Sequence, residues 1–131
     1  MSNQSYLVFG KKQKGKFRPE WAEQIDCFTW ISHWYPNLNV FHVPNEIKAS
    51  VQYMKKRKDM GVVSGPSDFI ILTAGANHPF GVIELKNLSG TISKTQKDWL
   101  NKVISDGGFA AVAYGLDEFK KAVKTYTGEI D

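Results

Sequence analysis

Asp68, Glu84 and Lys86 are the residues whose types and spacing suit chemistry. Asp68 stands directly before the apolar run Phe69 to Leu72. Glu84 and Lys86 close a second apolar stretch that begins at Phe80. Each stretch has the length of a strand, and the turn-rich segment Ala74 to Pro79 joins them as a hairpin. Strand side chains alternate between faces, so Glu84 and Lys86 share one face while Ile83 and Leu85 take the other. Two carboxylates and one ammonium therefore meet on one side of a hairpin. Charged groups beside buried strands are costly unless they are paired or hold a cation. Mg²⁺ suits such a place, because it takes one or two carboxylates and completes its shell with water or phosphate. A salt bridge at a strand end fits the same three residues. Glu-Leu-Lys arises often by chance, so these positions alone leave both readings open.

The hairpin needs elements to hold it. Pro19 to Tyr35 reads as a helix, with Pro19 at its start, Glu20 and Glu23 in the first turn and Pro36 as the stop. Trp21, Ile25 and Phe28 form one stripe on it, and Cys27, Ile31 and Trp34 an adjoining one, which predicts a wide apolar face. Asn39 to Val43 reads as a short strand. Residues 47–60 read as a basic helix or a basic loop, before Gly61 and Gly65-Pro66 break the chain. Ser93 to Asp106 is a helix with Trp99, Leu100, Val103 and Ile104 on one face. Phe109 to Tyr114 is a buried strand. Asp117 to Tyr126 is a last helix with Phe119, Ala122, Val123 and Tyr126 inward. The order predicts one mixed α/β sheet with helices on its faces, and a crossover between parallel strands through the Ser93 helix. The basic N-terminal segment over residues 1–18 is expected to hold a short strand at Tyr6 to Phe9 and then a mobile arm.

The order of these features resembles the PD-(D/E)xK nuclease superfamily, and more closely its virus-type replication-repair nuclease (VRR-NUC) branch. The features are Glu23 in the first helix, Val43-Pro44-Asn45-Glu46 after the first strand and Met60-Gly61 before the Gly-Pro turn. Gly65-Pro66-Ser67-Asp68, Glu84-Leu85-Lys86, Gln96-Lys97-Asp98-Trp99-Leu100 and Gly108 follow in sequence. The likeness spans residues 20–126. Two departures stand out. Pro66 lies one position early, with Ser67 between it and Asp68. Ile47-Lys48-Ala49 replaces the family's more usual glycine and basic-serine pattern.

The resemblance implies a restriction-endonuclease-like fold with an αβββαβ core, a single domain over residues 1–131. It also implies a Mg²⁺- or Mn²⁺-dependent DNA endonuclease. Asp68, Glu84 and the backbone carbonyl of Leu85 would hold the metal. Lys86 would orient the attacking water, and Glu23 and Gln96 would support the site. Glu46 is the rival of Glu23 for the helical acid's role. Ser93-x-x-Gln96 is equally a capping-box pattern at a helix start, so Gln96 has a structural reading of the same weight. Stand-alone relatives are typical of phage and bacteria and imply a homodimer acting on branched or Holliday-junction DNA in repair, in the cytoplasm of a bacterium or of a phage-infected host. An inactive DNA-binding or interaction module of the same fold is the rival reading, and a restriction or recombination nuclease a third.

Composition agrees with one small globular domain: 131 residues, 42% hydrophobic and 23% charged. No run approaches the ~20 apolar residues that span a bilayer, so no membrane partner is expected. No secretory leader is expected either. Cys27 is the one cysteine, which excludes an internal disulfide and a cysteine-built zinc site. It reads as a small buried hydrophobe in a reducing compartment. His33, His42 and His78 show no metal-ligand spacing, and no phosphate-loop glycine motif announces a nucleotide cofactor. Residues 1–62 carry ten Lys/Arg against five Asp/Glu, and residues 63–131 carry seven against eight, so the net +4 sits in the first half. Such an excess favours a polyanion. Lys55, Lys56, Arg57 and Lys58, with Lys48, are the expected contacts to a DNA backbone, and the basic run at 11–18 offers the same chemistry more weakly.

Overall fold

The computed structural model describes residues 5–43, 50–61 and 68–129. Its elements follow in the order β1 (Leu7–Phe9), α1 (Glu20–Trp34), β2 (Val40–His42), α2 (Val51–Asp59), β3 (Phe69–Ile71), β4 (Gly81–Lys86), α3 (Lys94–Ser105), β5 (Phe109–Tyr114) and α4 (Leu116–Thr127). The strands form one five-stranded sheet in the order β1-β5-β4-β3-β2. β5 lies between β1 and β4 and runs parallel to both. β3 and β2 continue the sheet antiparallel. This is the mixed, helix-flanked α/β sheet that the element order predicts, and β4 and β5 are the parallel pair expected around α3.

The alternation of β5 builds two cores. Phe109, Ala111 and Ala113 face one side with Ile83 and Leu85 of β4, Phe69 and Ile71 of β3, and the inner faces of α1 and α4. Ala110, Val112 and Tyr114 face the other side with Val82, and with Leu100 and Val103 of α3. A strand buried on both faces reads as an unbroken apolar run, and Phe109 to Tyr114 is one. α4 presents Phe119, Ala122, Val123 and Tyr126 inward, as its spacing predicts. α1 differs from the expected wide face. Cys27 and Ile31 are fully buried, whereas Trp21, Ile25, Phe28 and Trp34 are exposed. One turn-spaced stripe meets α4 and the sheet, while the other has no element of this chain over it among the described residues.

The basic stretch before the Gly-Pro break is helical. Ser50 caps α2 by accepting a hydrogen bond from the Tyr53 N–H at 3.1 Å. Lys56, Arg57 and Lys58 occupy its last turn, where cations oppose the helix dipole. α2 buries no residue. The segment between β1 and α1 is fastened to the end of β4: the Gln13 N–H donates to the Leu88 carbonyl at 2.6 Å. Asn87 Nδ2 also donates to the Arg18 carbonyl at 3.2 Å.

Candidate active site

Sheet register brings the two acids together. Phe69 pairs with Ile83 and Ile70 with Val82 in the β3–β4 hairpin. One step further along that antiparallel register sets Asp68 opposite Glu84. Both even-numbered positions point to the α3 face, as do Val82 and Lys86. Asp68 is held twice over. Its Oδ2 accepts from the Leu85 N–H at 2.8 Å. Its backbone carbonyl accepts from the Val43 N–H at 2.9 Å and contacts His42 Nδ1 at 3.0 Å.

Glu84 is 1% exposed, Asp68 5% and Lys86 8%, and these three are the buried charged side chains among the described residues. Lys86 Nζ lies 3.5 Å from Glu84 Oε2. The same oxygen accepts from Gln96 Nε2 at 3.1 Å. Glu84 Oε1 is buried and has no hydrogen-bond partner. Burial pushes the Glu84 carboxyl up to about 9, and the negative charge of Asp68 beside it adds to the rise. Asp68 is also raised by burial, with hydrogen bonds to Glu84 and the Leu85 N–H and the charge of Lys86 opposing. Glu84 thus keeps its proton near neutral pH, Lys86 balances Asp68, and one buried acceptor is left unused.

That donor set fits a divalent cation. Hard oxygen ligands are present, a buried carboxyl oxygen has no other partner, and a divalent ion could take the place of the proton that burial and Asp68 hold on Glu84. Among the described residues no group of three or more His, Cys, Asp or Glu gathers around one point. Two carboxylates with water and a phosphate oxygen making up the rest is the arrangement Mg²⁺ commonly accepts.

Gln96 makes both the capping contacts and a contact to the acid cluster. Ser93 Oγ accepts from the Gln96 N–H at 3.1 Å, and Gln96 Oε1 accepts from the Ser93 N–H at 2.9 Å, which completes the capping box of α3. The amide end of the same side chain holds Glu84. One residue thus fixes the start of the helix and orients the acid.

The α1 acids divide. Glu23 Oε2 pairs with Arg18 at 2.8 Å. Its Oε1 lies near Gly115, whose N–H donates to the Lys86 carbonyl at 2.8 Å. Glu23 is therefore beside the ends of β4 and β5, tied by a guanidinium that also bonds Asp26. Glu20 Oε1 is the α1 carboxylate that approaches Lys86 Nζ, at 3.9 Å. Sequence reasoning passed over Glu20 as a first-turn residue, though i, i+3 spacing puts it on the same helix face as Glu23. It also passed over His42, whose place beside Asp68 follows from the pairing of His42 with Phe69. Glu20 and His42, with Trp21, Gln24 and Ile25, line a cleft of about 460 Å³.

Lys55, Lys56 and Lys58 are exposed on α2, and Arg57 is half-buried. Arg57 lies over the Tyr53 ring at 6.0 Å. Glu46 and Lys48, with Pro44, Asn45, Gly65, Pro66 and Ser67, lie outside the described residues. No described helix is long and apolar enough to cross a membrane.

The model of the VRR-NUC domain family matches residues 16–117, a span that includes Asp68, Glu84, Lys86 and Gln96. A solved structure described as a VRR_NUC domain protein superimposes with a TM-score of 0.74 at 23% identity, over 89% of this chain and 94% of that one, a likeness of fold. Comparison with the curated proteins finds no match.

Proposed function

The chain belongs to the VRR-NUC domain family, a nuclease-type family, and on that premise we propose that it is a divalent-metal-dependent DNA endonuclease. The observation that carries the proposal is the buried Asp68–Glu84 pair with its unpartnered Glu84 Oε1 and with Lys86 at 3.5 Å. Asp68, Glu84 and the Leu85 backbone carbonyl are the groups that would hold Mg²⁺ or Mn²⁺. When bound, such an ion acts as a Lewis acid toward the phosphate and lowers the pKa of its water. Lys86 is placed to orient the attacking water and to stabilise charge growing on the scissile phosphate. Gln96 keeps Glu84 in its rotamer. Glu20 holds the Lys86 ammonium from the far side, and Glu23 lines the ends of β4 and β5.

Branched DNA is the substrate the family resemblance implies, and two copies related by a two-fold axis would match the symmetry of a four-way junction. The uncovered α1 stripe supports a second copy. Ile25, Phe28 and Phe41, with Gln24, Thr29 and His42, line an apolar groove of about 360 Å³. Work inside a bacterial or phage-infected cytoplasm agrees with the free, buried Cys27.

Cleavage of a panel of junction, flap and linear duplex DNA with Mg²⁺ or Mn²⁺ is the test. Wild type is expected to cut and to favour the junction. Asp68→Ala and Lys86→Ala are expected to bind DNA yet lose at least about 10²-fold in rate. Cutting that survives in both variants removes the assignment. Light scattering reads the dimer directly.

A further inference from the structure

We infer that residues 11–18 form a preset strap that grips the sugar-phosphate backbone of the DNA beside the scissile phosphate. The inference rests on the nuclease reading and extends it to a surface outside the catalytic cluster. Residues 10–18 hold Lys11, Lys12, Lys14, Lys16 and Arg18 and no acid. The four lysines are exposed. On α3 and α4, Lys94 is paired with Asp98, Lys102 with Asp106 and Lys121 with Glu118 inside their own helices. Among the described residues Lys11, Lys14 and Lys16 make no ion pair.

Position distinguishes this run from an ordinary solvated face. The strap leaves the end of β1 at Gly10, whose φ of +81° suits glycine and whose added Cβ would meet Glu118 Cγ at 2.7 Å. It crosses the ends of β5 and β4, where Gln13 bonds Leu88 and Lys12 Nζ bonds Thr91 Oγ1 at 2.5 Å. It ends at Arg18, whose carbonyl takes the Asn87 amide. Asn87, Leu88 and Thr91 lie one to five residues past Lys86. Two residues past Arg18 is Glu20, which contacts Lys86 Nζ. The lysines are thus anchored along the rim of the Asp68–Glu84–Lys86 cluster. Anchoring removes much of the ordering entropy that a mobile arm would lose on binding. Phosphate contacts of this kind carry affinity and position the duplex, and they do not read sequence.

Equilibrium binding of a fluorescent junction and a linear duplex to the full chain in EDTA, followed against KCl concentration, tests this. Each lysine that neutralises a phosphate contributes about 0.9 to the slope of log K against log salt. Lys11→Ala/Lys14→Ala/Lys16→Ala is expected to lower that slope by about 2.7 and to weaken binding at 0.1 M KCl on the order of 10²-fold. The matching Lys→Arg triple is expected to bind like wild type. Lys102→Ala/Lys121→Ala/Lys124→Ala, the same change in charge away from the rim, is expected to leave the slope alone. An unchanged slope in the strap variant, or an equal loss in the remote one, overturns the strap and leaves the nuclease reading standing. A folded wild type that binds neither DNA overturns the nuclease reading and the strap with it.

Discussion

Replacing Glu84 by Gln is expected to stabilise the metal-free protein, and more so as pH rises. The Glu84 carboxyl is pushed from its ordinary 4.5 to about 9 by burial and by Asp68. The folded chain therefore keeps a proton that the unfolded chain has released. Wherever the native state binds more protons, stability falls as pH rises. The window runs from the unfolded value near 4.5 to the folded value near 9. Stability is greatest below it and is lost progressively upward through it. Between pH 5 and pH 8 the Asp68–Glu84 pair is expected to lose stability on the order of a few kcal/mol. Asp68, also raised, acts in the same direction. Urea denaturation in EDTA at a series of pH values measures the slope. Wild type is expected to lose close to 1.4 kcal/mol per pH unit in mid-window, and Glu84→Gln only a minor part of that. Saturating Mg²⁺ or Mn²⁺ is expected to flatten the wild-type curve, because an ion that binds the charged pair stabilises the form that burial disfavours. A flat wild-type profile in EDTA, or an equal slope in Glu84→Gln, refutes the reasoning about buried like charges.

Three further predictions follow from particular contacts. Glu20→Gln is expected to slow cleavage by about tenfold or more with DNA binding retained, whereas Glu23→Gln, which loses its tie to Arg18, changes the rate less; the reverse order in single-turnover rates would assign the supporting role to Glu23. Ser93→Ala removes one half of the α3 capping box and is expected to cost about 1 kcal/mol in chemical denaturation, while Gln96→Ala also releases Glu84 and slows cleavage. Gly81→Ala puts a methyl group 2.6 Å from Tyr126 Cε1 at the start of β4, and overpacking there is expected to cost about 1–3 kcal/mol, read as a lower denaturation midpoint with the active-site residues untouched.

What was legible in the sequence was what strand and helix periods encode. Phe109 to Tyr114 reads as a buried strand because both of its faces are covered. The α4 pattern fits one face against the sheet. That Asp68 and Glu84 share a face follows from the two-residue period, whereas their register is set by β3–β4 pairing across a nine-residue connection that the sequence does not fix. α1 shows where pattern stops. Trp21, Ile25 and Phe28 have the spacing of a core stripe and lie exposed, because periodicity reports an apolar face and not what covers it. Glu20 and Glu23 show another limit. Both share a helix face, and the choice between them depends on where Lys86 Nζ and Arg18 reach, a matter of long side chains rather than of register. The strap was read as a mobile tail because five cations in nine residues carry no period. Its anchors are single hydrogen bonds to Leu88, Thr91 and Asn87, and these have no signature in composition.

Between the two readings that the triplet left open, salt bridge or metal site, partner accounting supports the metal site proposed above. A structural ion pair matches one cation to one anion and satisfies their remaining lone pairs, since a buried pair gains little otherwise. Here one lysine faces Glu84 and Glu20, a second buried acid stands opposite, and Glu84 Oε1 has no partner. A hydrophobic hairpin end of similar volume would hold this sheet together at less cost. Gln96 and the Leu85 N–H nevertheless hold the two acids in position. On the proposed reading, a divalent cation that displaces the proton held on Glu84 is expected to stabilise the pair. That is the behaviour the proposed metal-dependent nuclease requires and a salt bridge does not.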